Sequence, residues 1–180
     1  MLKENKIEEY SDMILQQYKD SNKDELIFVC IGTDKCIGDC VAPLVGTFVN
    51  EEDKNIKIYG TLENPIHALN IEDRLKEVHN NHPNAFVVGI DACLGSEEDI
   101  GDIRIRDYAI SPGKGVGKEL PRVGDMSIIG IVDSSENSDL FFSRSIRLSF
   151  IWDISRKISD IIKYTYSKTN LLNNNIAITI

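Results

Sequence analysis

Apolar residues at Ile7, Tyr10, Ile14 and Tyr18 return at helical spacing with charged residues between them, which predicts an amphipathic helix over residues 4–19. Residues 25–31, ELIFVCI, form a continuous apolar run closed by Gly32, as expected of a strand buried on both faces of a parallel sheet. Beyond the loop GTDKCIGD, the positions Val41, Leu44, Val45, Phe48 and Val49 recur at threes and fours and predict a second helix. A short strand over 56–59 follows, then a helix from Ile71 with Leu75 and Val78 inward. Asn70 stands where an N-cap belongs, and Asp73 three places later completes a weak capping box. Residues 85–90, AFVVGI, predict a third buried strand that ends at Asp91.

Two strand-helix repeats joined by right-handed crossovers make these three strands parallel and bring their carboxyl ends to one edge. The pattern changes after Ser96. Residues 103–109 mix Ile103, Ile105 and Tyr108 with charges, as in a more exposed strand, and 126–132 is again a buried one. Between them runs the glycine-rich SPGKGVGKELPRVGD, and a last helix over about 144–168 places Leu148, Ile151, Ile154, Ile158 and Ile161 on one face. The expectation is an α/β fold, a three-layer α/β/α sandwich on a mixed, mostly parallel sheet. It occupies one domain, residues 1–180, with an N-terminal helix in 1–20 and the α/β core in 25–168.

Composition narrows the function. With 42% hydrophobic and 27% charged residues the chain has the profile of a folding domain, which excludes disorder. The net charge of -9, with no basic run, provides no stripe to track phosphates, so no nucleic-acid partner is expected. No stretch of 18 apolar residues and no N-terminal apolar segment occur, so the expectation is a cytoplasmic protein with no membrane partner. Cys30, Cys36, Cys40 and Cys93 then read as small reduced thiols: there is no C-x-x-C, and all three histidines, His67, His79 and His82, belong to the third helix and its approaches.

Ligands of open α/β sheets bind beyond the carboxyl ends of the strands, where neighbouring loops diverge. Asp39, closing the loop after the first strand, and Asp91, ending the third, both belong there. Two carboxylates brought together cannot both ionise cheaply, so one becomes an acid and the other a base at the same pH. The same oxygens could hold a divalent metal, and Asp39 alone could be a helix N-cap. The GKGVGK loop is no phosphate-binding loop, since three residues separate Gly113 from Gly117-Lys118 and Glu119 stands where a hydroxyl should be. Its glycines suit a loop that lets backbone pass close to the carboxylates or to a substrate chain.

Four ordered blocks, CIGTDKCIGDCVAPLVG, YGTLENPIHALN, GIDACLG and ISPGKGVGKELPRVGDMSIIGIV, resemble the YyaC spore protein family over most of residues 25–165. The same blocks resemble, more distantly, the germination protease that degrades small acid-soluble spore proteins and the hydrogenase maturation endopeptidases. The resemblance implies a phosphorylase/hydrolase-like fold and a sporulation-associated peptidase of the germination-protease type, in the forespore or spore core. It makes Asp39 and Asp91 the catalytic pair. Asp34, Ser111, Gly113, Gly115 and Gly117 then serve substrate binding, with no cofactor and no bound metal. The implied partner is a protein or peptide substrate such as a small acid-soluble spore protein, and a homo-oligomer is compatible with it. Two other readings are a non-catalytic sporulation binding protein on the same fold, and a metallopeptidase with Asp39, Asp91 and either Asp125 or a cysteine as ligands.

Overall fold

The computed structural model describes residues 4–113, 120–135 and 146–177, with side chains of the last helix described to Thr169. Five strands form one mixed sheet in the order β2-β1-β3-β5-β4. They are β1 (Glu25–Cys30), β2 (Ile58–Tyr59), β3 (Ala85–Gly95), β4 (Ile103–Arg106) and β5 (Met126–Ser134). β1 pairs in parallel with β2 and β3, and β3 in parallel with β5, while β4 runs antiparallel along β5. The helices are α1 (Glu4–Asp20), α2 (Val41–Glu52), α3 (Ile71–Asn81) and α4 (Leu148–Ala177), and a 3-10 turn, Ile37–Cys40, leads into α2.

Alternation along the strands divides the core in two. Leu26, Phe28, Cys30, Phe86, Val88 and Ile90 point to one face, where they pack with Tyr10 and Ile14 of α1, Val45 and Phe48 of α2, and Ile154 and Ile158 of α4. Ile27, Val29 and Ala85 point to the other, against Ile71 and Val78 of α3 and the loop residues Ile110 and Val123. The result is the three-layer α/β/α arrangement expected from the apolar periodicity, with three helices on one face and one on the other. Burying side chains of this size contributes about 1.5–3 kcal/mol each. Among the described residues no helix is long and apolar enough to cross a membrane.

Several boundaries differ from expectation, each for a local reason. β3 continues through Asp91 to Gly95, because β5 lies alongside and pairs Asp91 with Ile129 and Cys93 with Ile131. Asn70 does not cap α3 through its side chain. Its Oδ1 accepts the His67 N–H at 2.8 Å and its Nδ2 donates to the Pro65 carbonyl at 3.0 Å, so it closes the preceding turn instead. β2 keeps two residues of the expected four, and β4 stops at Arg106. α4 starts at Leu148 and reaches Ala177, past the expected end.

Candidate active site

β1 ends before β3 does, and that mismatch opens the site. The last pairing of the two strands joins Cys30 with Ile90, followed by the Ile31 N–H donating to the Ile90 carbonyl at 2.8 Å. Asp91, one residue on, therefore lies just past the end of β1. From Gly32 the chain turns away: the Gly32 N–H donates to the Ile66 carbonyl at 2.8 Å and the Thr33 N–H to the Asp39 carbonyl at 3.1 Å. That last bond folds the 3-10 turn back over Gly32. A Cβ on Gly32 would strike the Asp39 carbonyl oxygen and stand 3.0 Å from Pro43 Cδ, so the close approach requires glycine.

The side chain of Asp39 is not the cap of α2. Cys40 occupies the capping position and makes no side-chain cap bond, and Asp39, one residue before it, is half-buried. Burial pushes it up to about 6, against the His67 imidazole and the Thr33 N–H, which both favour the ionised form. Asp91 is held well above the ordinary carboxylate range, first by burial and then by the negative charge of Asp39. The Ala92 N–H, donated to Asp91 Oδ1 at 2.8 Å, and the guanidinium of Arg106 act in the opposite sense. Both carboxyls are thus raised, and the negative charge of Asp39 adds to the rise at Asp91.

Three side chains around the pair had no assigned role in the sequence. His67 and Arg106 belong to segments that meet the aspartates only through strand pairing: Ile66 bridges Ile31, and β4 lies beyond β5. Cys93, two residues along β3 from Asp91, has its thiol held above the usual range by burial, against the guanidinium of Arg106, which favours the thiolate. Burial likewise raises Cys40, to about 11, with Asp34, Asp39 and Cys36 adding to it. All four cysteines are free, and raised thiols such as Cys40 and Cys93 are poor nucleophiles at neutral pH.

The other expected site residues divide. Asp34 is exposed in the Asp39 loop and acts on Cys40, not on either carboxyl of the pair. Ser111 is exposed and follows Ile110, which exchanges backbone bonds with Val123 at 2.9 and 3.0 Å. Gly113 has φ +85°, a left-handed conformation suited to glycine. Gly115 and Gly117 lie outside the described residues. Asp125 cannot join the pair as a metal ligand: its Oδ2 accepts the Val87 N–H at 2.8 Å, and Val87 stands four residues, ~13 Å of strand, before Asp91. Among the described residues no three His, Cys, Asp or Glu side chains are gathered so as to hold a metal ion.

Exposed apolar side chains occur in the segments that carry the site residues. Of the six large hydrophobic side chains exposed among the described residues, Ile37, Leu69 and Tyr108 each stand two residues from Asp39, His67 or Arg106. The Tyr108 ring also lies under the Arg106 guanidinium, 5.8 Å from its centroid.

The family profile described as "Protein of unknown function (DUF1256)" matches residues 1–161. The chain is similar to an uncharacterized protein of Bacillus subtilis, YyaC, with 38% identity over 136 residues. That match spans 75% of this chain and 66% of the relative's own length. Among solved structures, a [NiFe] hydrogenase maturation protease, HycI of Thermococcus kodakarensis, superposes with a TM-score of 0.47 at 17% identity, covering 83% of this chain and 99% of the other.

Proposed function

For a chain that belongs to the DUF1256 family, we propose a peptidase in which Asp39 and Asp91 share a proton and hydrolyse an amide bond. The observation that carries this reading is the placement of Asp91 just past the last pairing of β1 with β3, beside the turn that brings Asp39 back over Gly32, with both carboxyls raised by desolvation and Asp91 further by the charge of Asp39. At neutral pH the ionised Asp39 takes a proton from water as the water oxygen bonds to the amide carbon. Asp91 gives its proton to the leaving nitrogen as the carbon–nitrogen bond breaks. The pair then holds one proton as before, moved from Asp91 to Asp39, and exchange with solvent restores the starting state.

The substrate of this reading is an unfolded or extended protein segment with apolar side chains, a choice supported by the exposed Ile37, Leu69 and Tyr108 in the segments that carry Asp39, His67 and Arg106. The resemblance of the four sequence blocks to the YyaC spore proteins supports a sporulation-associated role in the forespore cytoplasm, with small acid-soluble spore proteins as substrates. The glycine-rich segment that contains Gly113, Gly115 and Gly117 would border the substrate.

The test is to incubate purified protein with spore proteins and to compare Asp39→Asn and Asp91→Asn with the wild type. Each substitution should lower kcat/KM by about 100-fold or more, the usual worth of a general acid or base. Undiminished cleavage by both variants would contradict the mechanism.

A further inference from the structure

We propose that Arg106 is a specificity residue that anchors a carboxylate of the substrate beside the aspartate pair. That carboxylate is either an acidic side chain or the free carboxyl end of a chain. The inference rests on the reading of Asp39 and Asp91 as a hydrolytic pair, and it adds what that pair selects.

Strand register sets Arg106 on the sheet face that carries Asp91. Ile90, Ile128 and Ile105 belong to the core on the side of α1, α2 and α4. Their neighbours Asp91, Ile129, Arg104 and Arg106 therefore point to the opposite side, where Ile129 joins the core under α3. Arg104 and Asp91 both pair with Ile129, so they stand two strand spacings apart, about 10 Å. Arg106 pairs with Ser127, which pairs with Gly89, and so lies two residues farther from the carboxyl edge on the same face. The row opposite Arg106 is filled: Ile110 and Val123 lie over Gly89, where a Cβ would come within 2.6 Å of Ile110 Cδ1. The open direction for the guanidinium is along the strands toward Asp91 and Cys93, and its charge favours the ionised form of both.

Arg104 is paired with Asp99 at 2.5 Å. Arg106, half-buried, forms no ion pair among the described residues. Its guanidinium stands 5.8 Å from the centroid of the Tyr108 ring, which supports the planar group from one side. In the proton-sharing state Asp91 holds its proton and Cys93, raised by burial, is a thiol, so neither supplies an anion. A half-buried guanidinium without an anion of its own favours one brought by a ligand, and its planar fork matches a carboxylate with two parallel hydrogen bonds. The same positive charge offsets the anion at Asp39, which would otherwise repel an acidic substrate.

The test uses the wild-type protein and acetylated hexapeptides of serine and leucine with one central glutamate, glutamine or lysine, each with a free or an amidated carboxyl end. By calorimetry, a peptide with a carboxylate should bind about tenfold tighter than the amidated glutamine peptide, the low end for a charge-assisted hydrogen bond. Tightening by glutamate in amidated peptides assigns the acidic side chain, and tightening by the free end in glutamine peptides assigns the chain end. Arg106→Gln should abolish the difference, and Arg106→Glu should make the lysine peptide the preferred one, a reversal that loss of structure cannot produce. Equal binding of charged and neutral peptides by the wild type, or a preference that survives in folded Arg106→Gln, overturns the proposal. If that variant does not fold, the NMR signal of the wild-type Arg106 Nε–H carries the test, since it must shift with the carboxylate peptide and not with the neutral one. Carboxylate preference in a protein that cleaves no spore protein upholds the anchor and refutes the peptidase; cleavage without that preference does the reverse.

Discussion

A buried carboxyl whose folded form prefers its proton stabilises the protein only while that proton stays on. Asp39, raised to about 6, and Asp91, raised further by burial and by Asp39, both belong to this class. Their contribution is fully present below the ordinary carboxylate range and is lost as pH rises through about 6 and beyond. Urea unfolding should therefore show Asp91→Asn gaining on the wild type as pH rises from 4 to 8, a gain from removing a charge that catalysis needs. A difference between the two proteins that does not vary with pH would mean that Asp91 carries no such cost. The two aspartates were legible in the sequence because Asp91 ends an apolar run, where a charge has no packing reason to be, and Asp39 closes the loop that follows another. His67 was not, since its neighbour Asp39 is supplied by the Ile31–Ile66 bridge, a contact that no local pattern announces.

At the level of elements, the site depends on how the chain leaves β1. Gly32→Ala would drive a methyl into the Asp39 carbonyl and push the 3-10 turn off the sheet. It should cost about 2 kcal/mol or more in stability and lower activity with it, as measured by unfolding and by cleavage of a spore protein. A control at the opposite end of the sheet should separate stability from activity. There Tyr59 Oη meets His82 Nε2 at 2.5 Å and His82 Nδ1 meets Glu25 Oε1 at 2.7 Å, tying the end of α3 to β1 and β2. His82→Ala should lower stability by about 1–3 kcal/mol, the cost of leaving such partners unsatisfied. Assayed below its unfolding temperature, this variant should leave kcat/KM within about twofold. The helices and buried strands were predictable because three- and four-residue periodicity and unbroken apolar runs reflect burial directly. The extension of β3 was not, because DACLG reads as a loop until β5 supplies its partner.

For the molecule as a whole, strand order places the site. From β1 the chain crosses by α2 over one face to β2, then returns by α3 over the other face to β3, on the far side of β1. Connections that leave neighbouring strands in this way open a crevice at their carboxyl ends, and Asp39 and Asp91 border it. Because no third metal-binding side chain joins them among the described residues, cleavage of a spore protein should be unchanged by a chelator. Loss of activity on chelation, restored by one added metal, would replace the proton-sharing pair with a metal-bound water. The most direct test of the pair itself is carbon-13 titration of the Asp91 carboxyl in the wild type and in Asp39→Asn. Coupling predicts that the Asp91 midpoint falls when the neighbouring charge is removed, while burial keeps it above the ordinary carboxylate range. A midpoint that does not move between the two proteins would contradict the account.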